Sequence, residues 1–310
     1  MKEGLVSVVI PTYNRADMLE RCVDSVLKNT YKKVEIIVGD DSEGDESWRM
    51  LKRKHGKIIY VKCSNRNISI AVNRALRKAS GEFIFLLNDD NEIGRDCIKE
   101  LAGSFKGKGR DKVGIVGPLA LYHSKRDTIM HAGVKRSPFM RRAIYPHQNE
   151  KWKGQINEGE VVEDFANAFM FRSKLLKEVG MWDDLVELMG EDGDFEARVR
   201  KKGYTAIINP KALTYHNIPF EEGRAYFMRI TPKRMYHVLH SKVIYEARYD
   251  SAIGKMTFAL SLWAYYLFYL RAIIQRGAGN RMKMWRSLTK GMLDGIVHGL
   301  SGKNKIERLE

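Results

Sequence analysis

The chain has 310 residues, of which 44% are hydrophobic and 30% charged, and its formal net charge at pH 7 is +16. This length suffices for one α/β domain with an appended region, and the composition is that of an ordinary globular protein. The three cysteines, Cys22, Cys63 and Cys97, lack paired or metal-type spacing, which excludes a disulfide framework and indicates reduced thiols. The apolar run after residues 1–4 is too short for a signal peptide, so we expect a cytoplasmic protein.

Strands and helices alternate through the first 116 residues. Short β-branched or aromatic runs predict strands, and apolar residues spaced three and four apart predict helices. Alternation at this length is typical of an α/β fold, with a mostly parallel sheet that helices cover on both faces. The predicted strands are 6–10, 34–38, 58–61, 83–87 and 113–116, and the predicted helices are 16–28, 47–55, 68–79 and 97–105.

The second half is less regular. Residues 121–161 show neither the helix nor the strand period, which is typical of a functional or mobile loop. A strand is predicted over 164–171, a helix with Ser173 as its N-cap, and a helix over 194–202 ended by Gly203. From Thr231 onward the pattern is predominantly helical.

Three acidic clusters appear in order along the chain. Asp40 and Asp41 end the second predicted strand, and Asn88-Asp89-Asp90 ends the fourth. Carboxylates at the carboxyl ends of parallel strands lie where open α/β sheets bind ligands, and adjacent carboxylates favour a divalent cation that bridges to a diphosphate. Taken alone, the first cluster equally fits a helix cap, and the second fits a solvated turn.

The third cluster, Glu191-Asp192, precedes a predicted helix and is followed by His216. One of these carboxylates is positioned to take a proton from an acceptor hydroxyl, although an acid at this place also complements a helix dipole. A lone histidine is more often structural than functional. The order of the three clusters therefore predicts an enzyme that handles a nucleotide diphosphate.

The residues after the first strand, Pro11-Thr12-Tyr13-Asn14-Arg15, lie where other nucleotide-binding folds have a phosphate loop. They form neither a G-x-G-x-x-G turn nor a Walker loop, which argues against dinucleotide or P-loop chemistry. Tyr13 is suited to stack on a base, and Arg15 to bind phosphate. The alternative is an ordinary strand-to-helix turn with an exposed arginine.

Several motifs, in this order, resemble the family 2 inverting glycosyltransferases, which have the GT-A fold. The resemblance covers roughly residues 5–217, and the late Glu-Asp followed by a distant histidine resembles the rhamnosyltransferase-like branch. The motifs are Val8-Val9-Ile10-Pro11-Thr12-Tyr13-Asn14-Arg15, Ile37-Val38-Gly39-Asp40-Asp41-Ser42, Asn65-Arg66-Asn67 with Ala71-Val72-Asn73, Gly81 to Asp90, Ala168 to Arg172, Val179 to Asp183 and Gly190 to Phe195, followed by Arg198, Gly203-Tyr204, Pro210 and His216.

On the donor side, the resemblance implies a nucleotide-diphosphate sugar bound at the carboxyl ends of the first strands. Asp41 would hydrogen-bond the base, and Asn88 stands at the first position of the usual D-x-D. Asn67 stands where the family commonly has glycine, so we expect a positive φ there. The nucleotide-binding residues implied are Pro11, Tyr13, Arg15, Asp41, Asn67, Asn73, Asn88 and Asp89.

The resemblance also implies a metal and a base. Asp90, assisted by Asp89 and His216, would hold Mn²⁺ or Mg²⁺ against the diphosphate. Asp192 would be the catalytic base, with Glu191 beside it on the acceptor side. We expect a GT-A domain over 1–220, with a donor half (1–117) and an acceptor half (118–220), followed by a helical basic region over 221–310.

This C-terminal region carries 16 Lys and Arg residues against 7 Asp and Glu. Residues 256–270 contain no charge, which fits a helix lying in a membrane interface, a spanning helix, or an ordinary core or oligomer contact. An interfacial segment over 254–290 would hold the protein at the inner face of the cell membrane. It would suit a glycan or polyprenyl-linked acceptor.

Two other classes of protein are consistent with parts of the sequence. A sugar-nucleotide pyrophosphorylase shares a related fold but needs a glycine-rich basic loop, which residues 11–14 do not provide. A basic, non-catalytic nucleic-acid-binding protein fits the net charge, but the chain contains no recognisable nucleic-acid module. Both therefore remain alternatives to sugar transfer.

Overall fold

The computed structural model describes residues 1–54, 58–138, 141–220, 230–277 and 279–308. The second predicted helix, 47–55, ends at His55, which lies outside the described residues. The longer predicted segments also contain residues outside the described ranges: 139–140, 221–229, 278 and 309–310.

The N-terminal half alternates strands and helices as predicted. In the first helix, Leu19, Cys22, Val23 and Val26 are buried at helical spacing, so the apolar stripe of the sequence is the face that packs on the sheet. The elements in chain order are β1 (Lys2–Thr12), α1 (Ala16–Leu27), β2 (Val34–Asp40), α2 (Glu46–Lys54), β3 (Ile59–Lys62), α3 (Ile68–Leu76), β4 (Gly81–Leu87), β5 (Asn91–Ile93) and α4 (Cys97–Gly103).

The second half adds further strands and ends in three helices, as expected from Thr231 onward. Its elements are β6 (Val113–Tyr122), β7 (Lys125–His131), β8 (Lys135–Arg136), β9 (Ala143–Ile144), β10 (Val161–Val162), β11 (Ala168–Arg172), α5 (Leu175–Val179), α6 (Glu191–Lys201), β12 (Thr205–His216), α7 (Pro232–Tyr249), α8 (Ala252–Arg276) and α9 (Arg281–Ser301).

Four sequence predictions in this half need correction. Residues 121–161 are not wholly irregular, because β7 pairs antiparallel with β6. The strand predicted from residue 164 begins at Ala168, and the helix predicted from residue 194 begins at Glu191. Ser173 does not cap α5, whose N-cap is Lys174; its hydroxyl instead donates to the carbonyl oxygen of Glu82.

The main sheet has the strand order β10-β12-β6-β11-β4-β1-β2-β3, with β5 on β12 and β7 on β6. β1 runs parallel to β2 and β4, β2 to β3, and β6 to β12, whereas β11 is antiparallel between β4 and β6. The carboxyl ends of β1, β2 and β4 therefore share one edge, which is the ligand-binding edge of such sheets.

Helices cover the sheet on both faces, as predicted. Val8 and Val9 are neighbours on β1 but belong to different core clusters, because successive strand residues point to opposite faces. The cluster around Val8 includes residues of α1, α2 and α4. The cluster around Val9 includes residues of α3, α5 and α6.

The C-terminal helices form a third core of their own. Met235 and Leu239 from α7, Ile273 from α8 and Leu288 from α9 are buried together. α7 also packs on α6, which carries the third acidic cluster. The C-terminal region is therefore joined to the part of the molecule that carries Glu191 and Asp192.

Candidate active site

Arg15 joins the first strand-end turn to the second acidic cluster. Its guanidinium lies 2.6 Å from Asp89 Oδ1 and 2.8 Å from Asp90 Oδ2. The hydroxyl of Thr12, the last residue of β1, donates to Asp89 Oδ2 at 2.6 Å. Because β1 and β4 are adjacent and parallel, residues that follow them meet at one edge, as the sequence predicts.

The two carboxylates have different surroundings. The Asp89 side chain is fully buried, and burial raises its pKa to about 7 against the opposing effect of Arg15. Burial would also raise the pKa of Asp90, but His216 and Arg15 outweigh it and lower that pKa to about 2. Asp90 is thus the ionised, accessible member, whereas the oxygens of Asp89 are engaged by Thr12 and Arg15. The structure does not support Asp89 as a metal ligand, because its carboxylate is turned into the protein.

His216, at the end of β12, lies beside Asp90. Its Nε2 is 3.3 Å from Asp90 Oδ1, while Arg15 contacts the other carboxylate oxygen. Neighbouring ligands of an octahedral Mg²⁺ or Mn²⁺ ion lie about 3 Å apart, so the pair fits two adjacent ligand positions. Within the part of the chain that the structure describes, no three His, Cys, Asp or Glu side chains form a complete metal cage. The remaining ligands would come from substrate and water.

Asp41 supports the loop that follows β3. Its two carboxylate oxygens accept hydrogen bonds from the backbone N–H groups of Asn65 and Asn67, each at 2.8 Å. Asn67 then caps α3 by accepting from the N–H of Ile70. The expected positive φ at Asn67 is wrong: its φ is −132°, typical of an N-cap, and the left-handed residue is Arg66 with φ 52°.

The turn after β1 is open to solvent. Pro11 is buried in the last part of the strand, whereas Tyr13 is exposed and its hydroxyl lies 3.3 Å from Glu43 Oε1. Asn14 adopts a left-handed conformation, φ 53°, and its N–H donates to the hydroxyl of Ser42 at 2.7 Å. The phenol ring of Tyr13 is therefore accessible to a ligand beside the Asp41 loop.

Asn73 is not placed with these residues. Its side-chain amide donates to the carbonyl oxygen of Trp182 at 2.9 Å and to Asp184 Oδ1 at 3.0 Å, and it accepts from the N–H of Trp182. With the side chain buried and its hydrogen bonds used in this way, Asn73 holds the 182–184 loop. The structure does not support its predicted contact with the nucleotide.

Asn88 links the second acidic cluster to the third. Its backbone N–H donates to the carbonyl oxygen of Asn167 at 2.9 Å, and their side-chain amides meet at 3.3 Å. The backbone N–H of Asn167 lowers the pKa of Asp192, and Asn88, Asn167 and Asp192 line one cavity. The segments that carry Asp90 and Asp192 therefore meet through Asn88 and Asn167.

Asp192 lies in the first turn of α6, after a turn in which Gly190 has φ 140°. A side chain at that φ would be strained, which explains the glycine. Asp192 is half-buried, and desolvation raises its pKa; the neighbouring Glu191 raises it further, while the Trp182 indole N–H, donating at 3.1 Å, acts the other way. Burial also raises the pKa of Glu191. A carboxylate with a raised pKa is a stronger base once ionised.

A cavity of about 340 Å³, open to solvent, lies in front of Asp192. Asn88 and Asn167 line this cavity, and residues of the C-terminal helices form part of its wall. Residues of this wall include Val238, Ser241, Lys242, Tyr245 and Glu246 from α7 and Tyr269 from α8.

α7 also holds the segment that carries Asp192. The Ser241 hydroxyl donates to the carbonyl oxygen of Leu188 at 2.8 Å, and His237 Nε2 lies 3.4 Å from Glu187. Arg248 lies 2.7 Å from Asp183 and 3.2 Å from Asp194, both of which are buried. The helices after residue 231 therefore complete the site.

Some residues of the site had no role in the sequence interpretation. Thr12 and Trp182 were present in the matching motifs, but nothing local indicated that they bond Asp89 and Asp192. Asn167 has φ 72°, and asparagine is among the residues that tolerate this conformation. In the sequence, the run Asp164 to Asn167 places an acid and an asparagine before a strand, and this pattern could have indicated Asn167 as a residue of the site.

The comparisons with known proteins agree with this geometry. Residues 7–180, more than half of the chain, match the model of "Glycosyl transferase family 2". Glycosyltransferase GlyA of Streptococcus pneumoniae serotype 4 is 31% identical over 99 residues, which is 31% of this chain and 14% of that protein. The Escherichia coli protein "UDP-Glc:alpha-D-GlcNAc-diphosphoundecaprenol beta-1,3-glucosyltransferase WfaP" is 38% identical over 89 residues, 28% of this chain and 36% of that protein. The chain therefore spans well under two thirds of either relative.

Solved structures resemble the whole fold. S. aureus TarS 1-349 in complex with UDP-GlcNAc has a TM-score of 0.60 at 16% identity, covering 94% of this chain and 81% of that one. GalNAc-T7 with UDP, GalNAc and Mn²⁺ has a TM-score of 0.61 at 15% identity, covering 96% of this chain and 56% of that one. At such identities the likeness concerns the fold alone, and it confirms the GT-A architecture. Since the family model matches more than half of the chain and spans the strand-end residues Arg15, Asp41 and Asp90, the chain belongs to glycosyl transferase family 2.

Proposed function

We propose that this protein transfers a sugar, with inversion and with the help of a divalent cation, from a nucleotide diphosphate to an acceptor hydroxyl. The observation that carries the proposal is the convergence of two groups at one sheet edge. The Asp90–His216 pair suits a cation, and Asp192 lies across Asn88 and Asn167 from it.

On the donor side, Tyr13 and the Asp41 loop would hold the base and ribose, while Arg15 binds a phosphate. A cation held by Asp90 and His216 would neutralise the charge that develops on the departing diphosphate. Arg15 already lies between Asp89 and Asp90, so it contributes positive charge at the same place. Positioning and electrostatic stabilisation would supply most of the acceleration.

On the acceptor side, Asp192 would take the proton from the incoming hydroxyl. Its raised pKa favours proton transfer, and the Trp182 indole N–H orients one carboxylate oxygen. Attack from the cavity side, opposite to the diphosphate, gives inversion at the anomeric carbon. Glu191, in the same turn, would lie beside the acceptor.

Replacing Asp90 tests the cation site. In Asp90→Asn we expect the stabilisation of the protein by nucleotide diphosphate with Mn²⁺ to be lost, because an amide brings no charge to the ion. Melting temperatures are measured with UDP, GDP and dTDP, with Mn²⁺, with Mg²⁺ and with EDTA. The exposed Asp111→Asn is the control and retains the shift. If nucleotide diphosphates raise the melting temperature of the wild-type protein as much in EDTA as in Mn²⁺, the metal has no role in binding them.

We place the protein at a membrane surface through α8 and α9. Exposed apolar residues repeat three or four apart along α8, at Ile253, Met256, Leu260, Trp263 and Leu267. α8 is long and apolar enough to span a membrane, and an 18-residue stretch of it has a mean hydropathy of 1.4. Phe258 and Ile273 on its other side are buried against the neighbouring helices. A helix with one packed face and one exposed apolar face is suited to lie in the interface.

Charge supports the same placement. Cationic side chains are exposed along both helices and would meet anionic headgroups. WfaP is named for an acceptor on diphosphoundecaprenol, which agrees with a lipid-linked acceptor here. The exposed cations are Lys255, Arg271, Arg276, Arg281, Lys283, Arg286 and Lys290.

The double variant Leu260→Asp/Leu267→Asp tests this placement. We expect it to bind vesicles containing phosphatidylglycerol at least about tenfold more weakly, because burying each leucine contributes about 1.5–3 kcal/mol. Binding is measured by co-sedimentation at low and high salt. Val161→Asp changes an equally exposed apolar residue elsewhere and serves as the control. Equal vesicle binding by the double variant and the wild type would argue against the interface.

Membership of the rhamnosyltransferase-like branch stays a prediction. A screen of nucleotide sugars in the melting assay would identify the donor. Family membership argues against the pyrophosphorylase and nucleic-acid-binding alternatives.

A further inference from the structure

We propose that the cavity in front of Asp192 binds an uncharged sugar ring of the acceptor, and that α8 supplies part of its binding surface through Tyr269. The inference rests on the proposed function and specifies the class of acceptor group that enters this cavity. The charges and the aromatic side chains of the cavity wall support it.

The positive charges of the wall are already neutralised. Arg136 lies 2.6 Å from Asp164. Lys242 lies 3.0 Å from Glu246. Arg141 lies 2.7 Å from a further acid, Asp250, and 3.5 Å from Glu246.

The wall also contains more acids than bases. Glu191 and Asp192 join Asp164 and Glu246 there, against the three cations Arg136, Arg141 and Lys242. A phosphate placed here would approach ionisable carboxylates and would have to displace an existing ion pair. The cavity is therefore poorly suited to an anionic group and well suited to hydroxyls, which both donate to carboxylates and accept from the bases.

Aromatic rings provide the apolar part of the wall. Tyr145 follows β9 and Tyr269 lies on α8, and both line the cavity. Tyr245 also lines it, but the guanidinium of Arg136 lies 4.1 Å from its ring centre, so that ring supports the arginine. The C–H faces of a sugar ring pack on aromatic faces while its hydroxyls bond the surrounding polar groups.

The position of Tyr269 connects the cavity to the membrane face. The helix that contributes Tyr269 also carries the exposed stripe of Ile253 to Leu267. An acceptor sugar on a lipid would enter the cavity beside this helix, while its phosphate would stay outside with the exposed cations of α8 and α9.

The experiment measures binding of p-nitrophenyl glycosides of neutral sugars (gluco, galacto, manno, rhamno and N-acetylgluco) and of p-nitrophenyl phosphate, which has the same aglycone. Ligand-observed NMR without donor gives the affinities, so turnover plays no part. We expect at least one glycoside to bind more tightly than the phosphate. Tyr269→Ala should weaken that glycoside by about two- to tenfold. The control is Tyr266→Ala, since Tyr266 is half-buried on the same helix but bonds Thr289 on α9. It should keep the wild-type affinity.

Two outcomes would overturn the inference: binding of the phosphate as tight as that of every glycoside, or equal glycoside affinity in Tyr269→Ala and wild type. Transfer is assayed separately with nucleotide sugars. Glycoside binding without any transfer would count against the proposed function and leave the cavity assignment standing. Transfer with an unchanged acceptor KM in Tyr269→Ala would count against the cavity assignment alone.

Discussion

Asp192→Asn is expected to lower the rate of sugar transfer by about 10²- to 10⁴-fold, the usual contribution of a positioned general base. The amide keeps the size of the side chain and can accept the indole N–H of Trp182, so the local geometry is retained. Donor affinity should stay near that of the wild type, because Asp192 lies on the acceptor side of Asn88 and Asn167. Steady-state rates and nucleotide-sugar binding are measured side by side, with Asp111→Asn as control.

The pH dependence of kcat/KM provides a second test of Asp192 as the base. Burial and Glu191 raise the pKa of Asp192, so the ionised base becomes more abundant as pH rises through neutrality. We expect kcat/KM of the wild type to increase over this range and the residual activity of Asp192→Asn to lack that increase.

Stability should change in the opposite direction. The pKa of Asp192 is higher in the folded protein than in the unfolded chain, where it is about 4. Between these two pKa values the folded state holds the proton more tightly, so the folded state becomes less stable as the pH rises through this range. At pH 8, Asp192→Asn should therefore melt at a higher temperature than the wild type.

Near-wild-type turnover in the variant would show that another group is the base.

The donor side of the site could be predicted because its residues follow strands. Arg15, Asp41 and Asp90 come after β1, β2 and β4, and parallel strands bring their carboxyl ends to one edge. Local patterns of apolar residues thus fixed both the fold class and the place of these side chains.

Other features depend on contacts that no local pattern contains. β7 begins with the charged run Lys125-Arg126-Asp127 and is held as a strand by pairing with β6, so periodicity did not indicate it. The different environments of Asp89 and Asp90 arise from Thr12 and Arg15, which belong to the segment after β1, and from His216 at the end of β12.

The contribution of α7 to the site is the clearest case of this kind. Arg248 is separated from Asp183 and Asp194 by 65 and 54 residues, yet it contacts both. Sequence reasoning predicted a helical basic region without indicating that it holds the catalytic helix. At least one positive charge of the C-terminal region, that of Arg248, therefore acts inside the molecule.

Arg248→Met is expected to lower the free energy of unfolding by about 3–5 kcal/mol, the cost of removing one partner from a buried ion pair. Asp183 and Asp194 have side chains that are 0% and 2% exposed, so water does not replace the guanidinium easily. Methionine keeps much of the aliphatic length, which limits the effect of lost packing. Denaturant unfolding measures the change.

The matched control is Arg234→Met on the same helix, because Arg234 makes no ion pair with any carboxylate among the described residues. Its stability should stay within about 0.5 kcal/mol of the wild type. Loss of the Arg248 contacts should also loosen α6, because Asp194 lies two residues after Asp192 in that helix. We therefore expect transfer to fall in Arg248→Met, under conditions where the protein is still folded, more than donor binding does. Wild-type stability and activity in Arg248→Met would mean that α7 is dispensable for holding the catalytic helix.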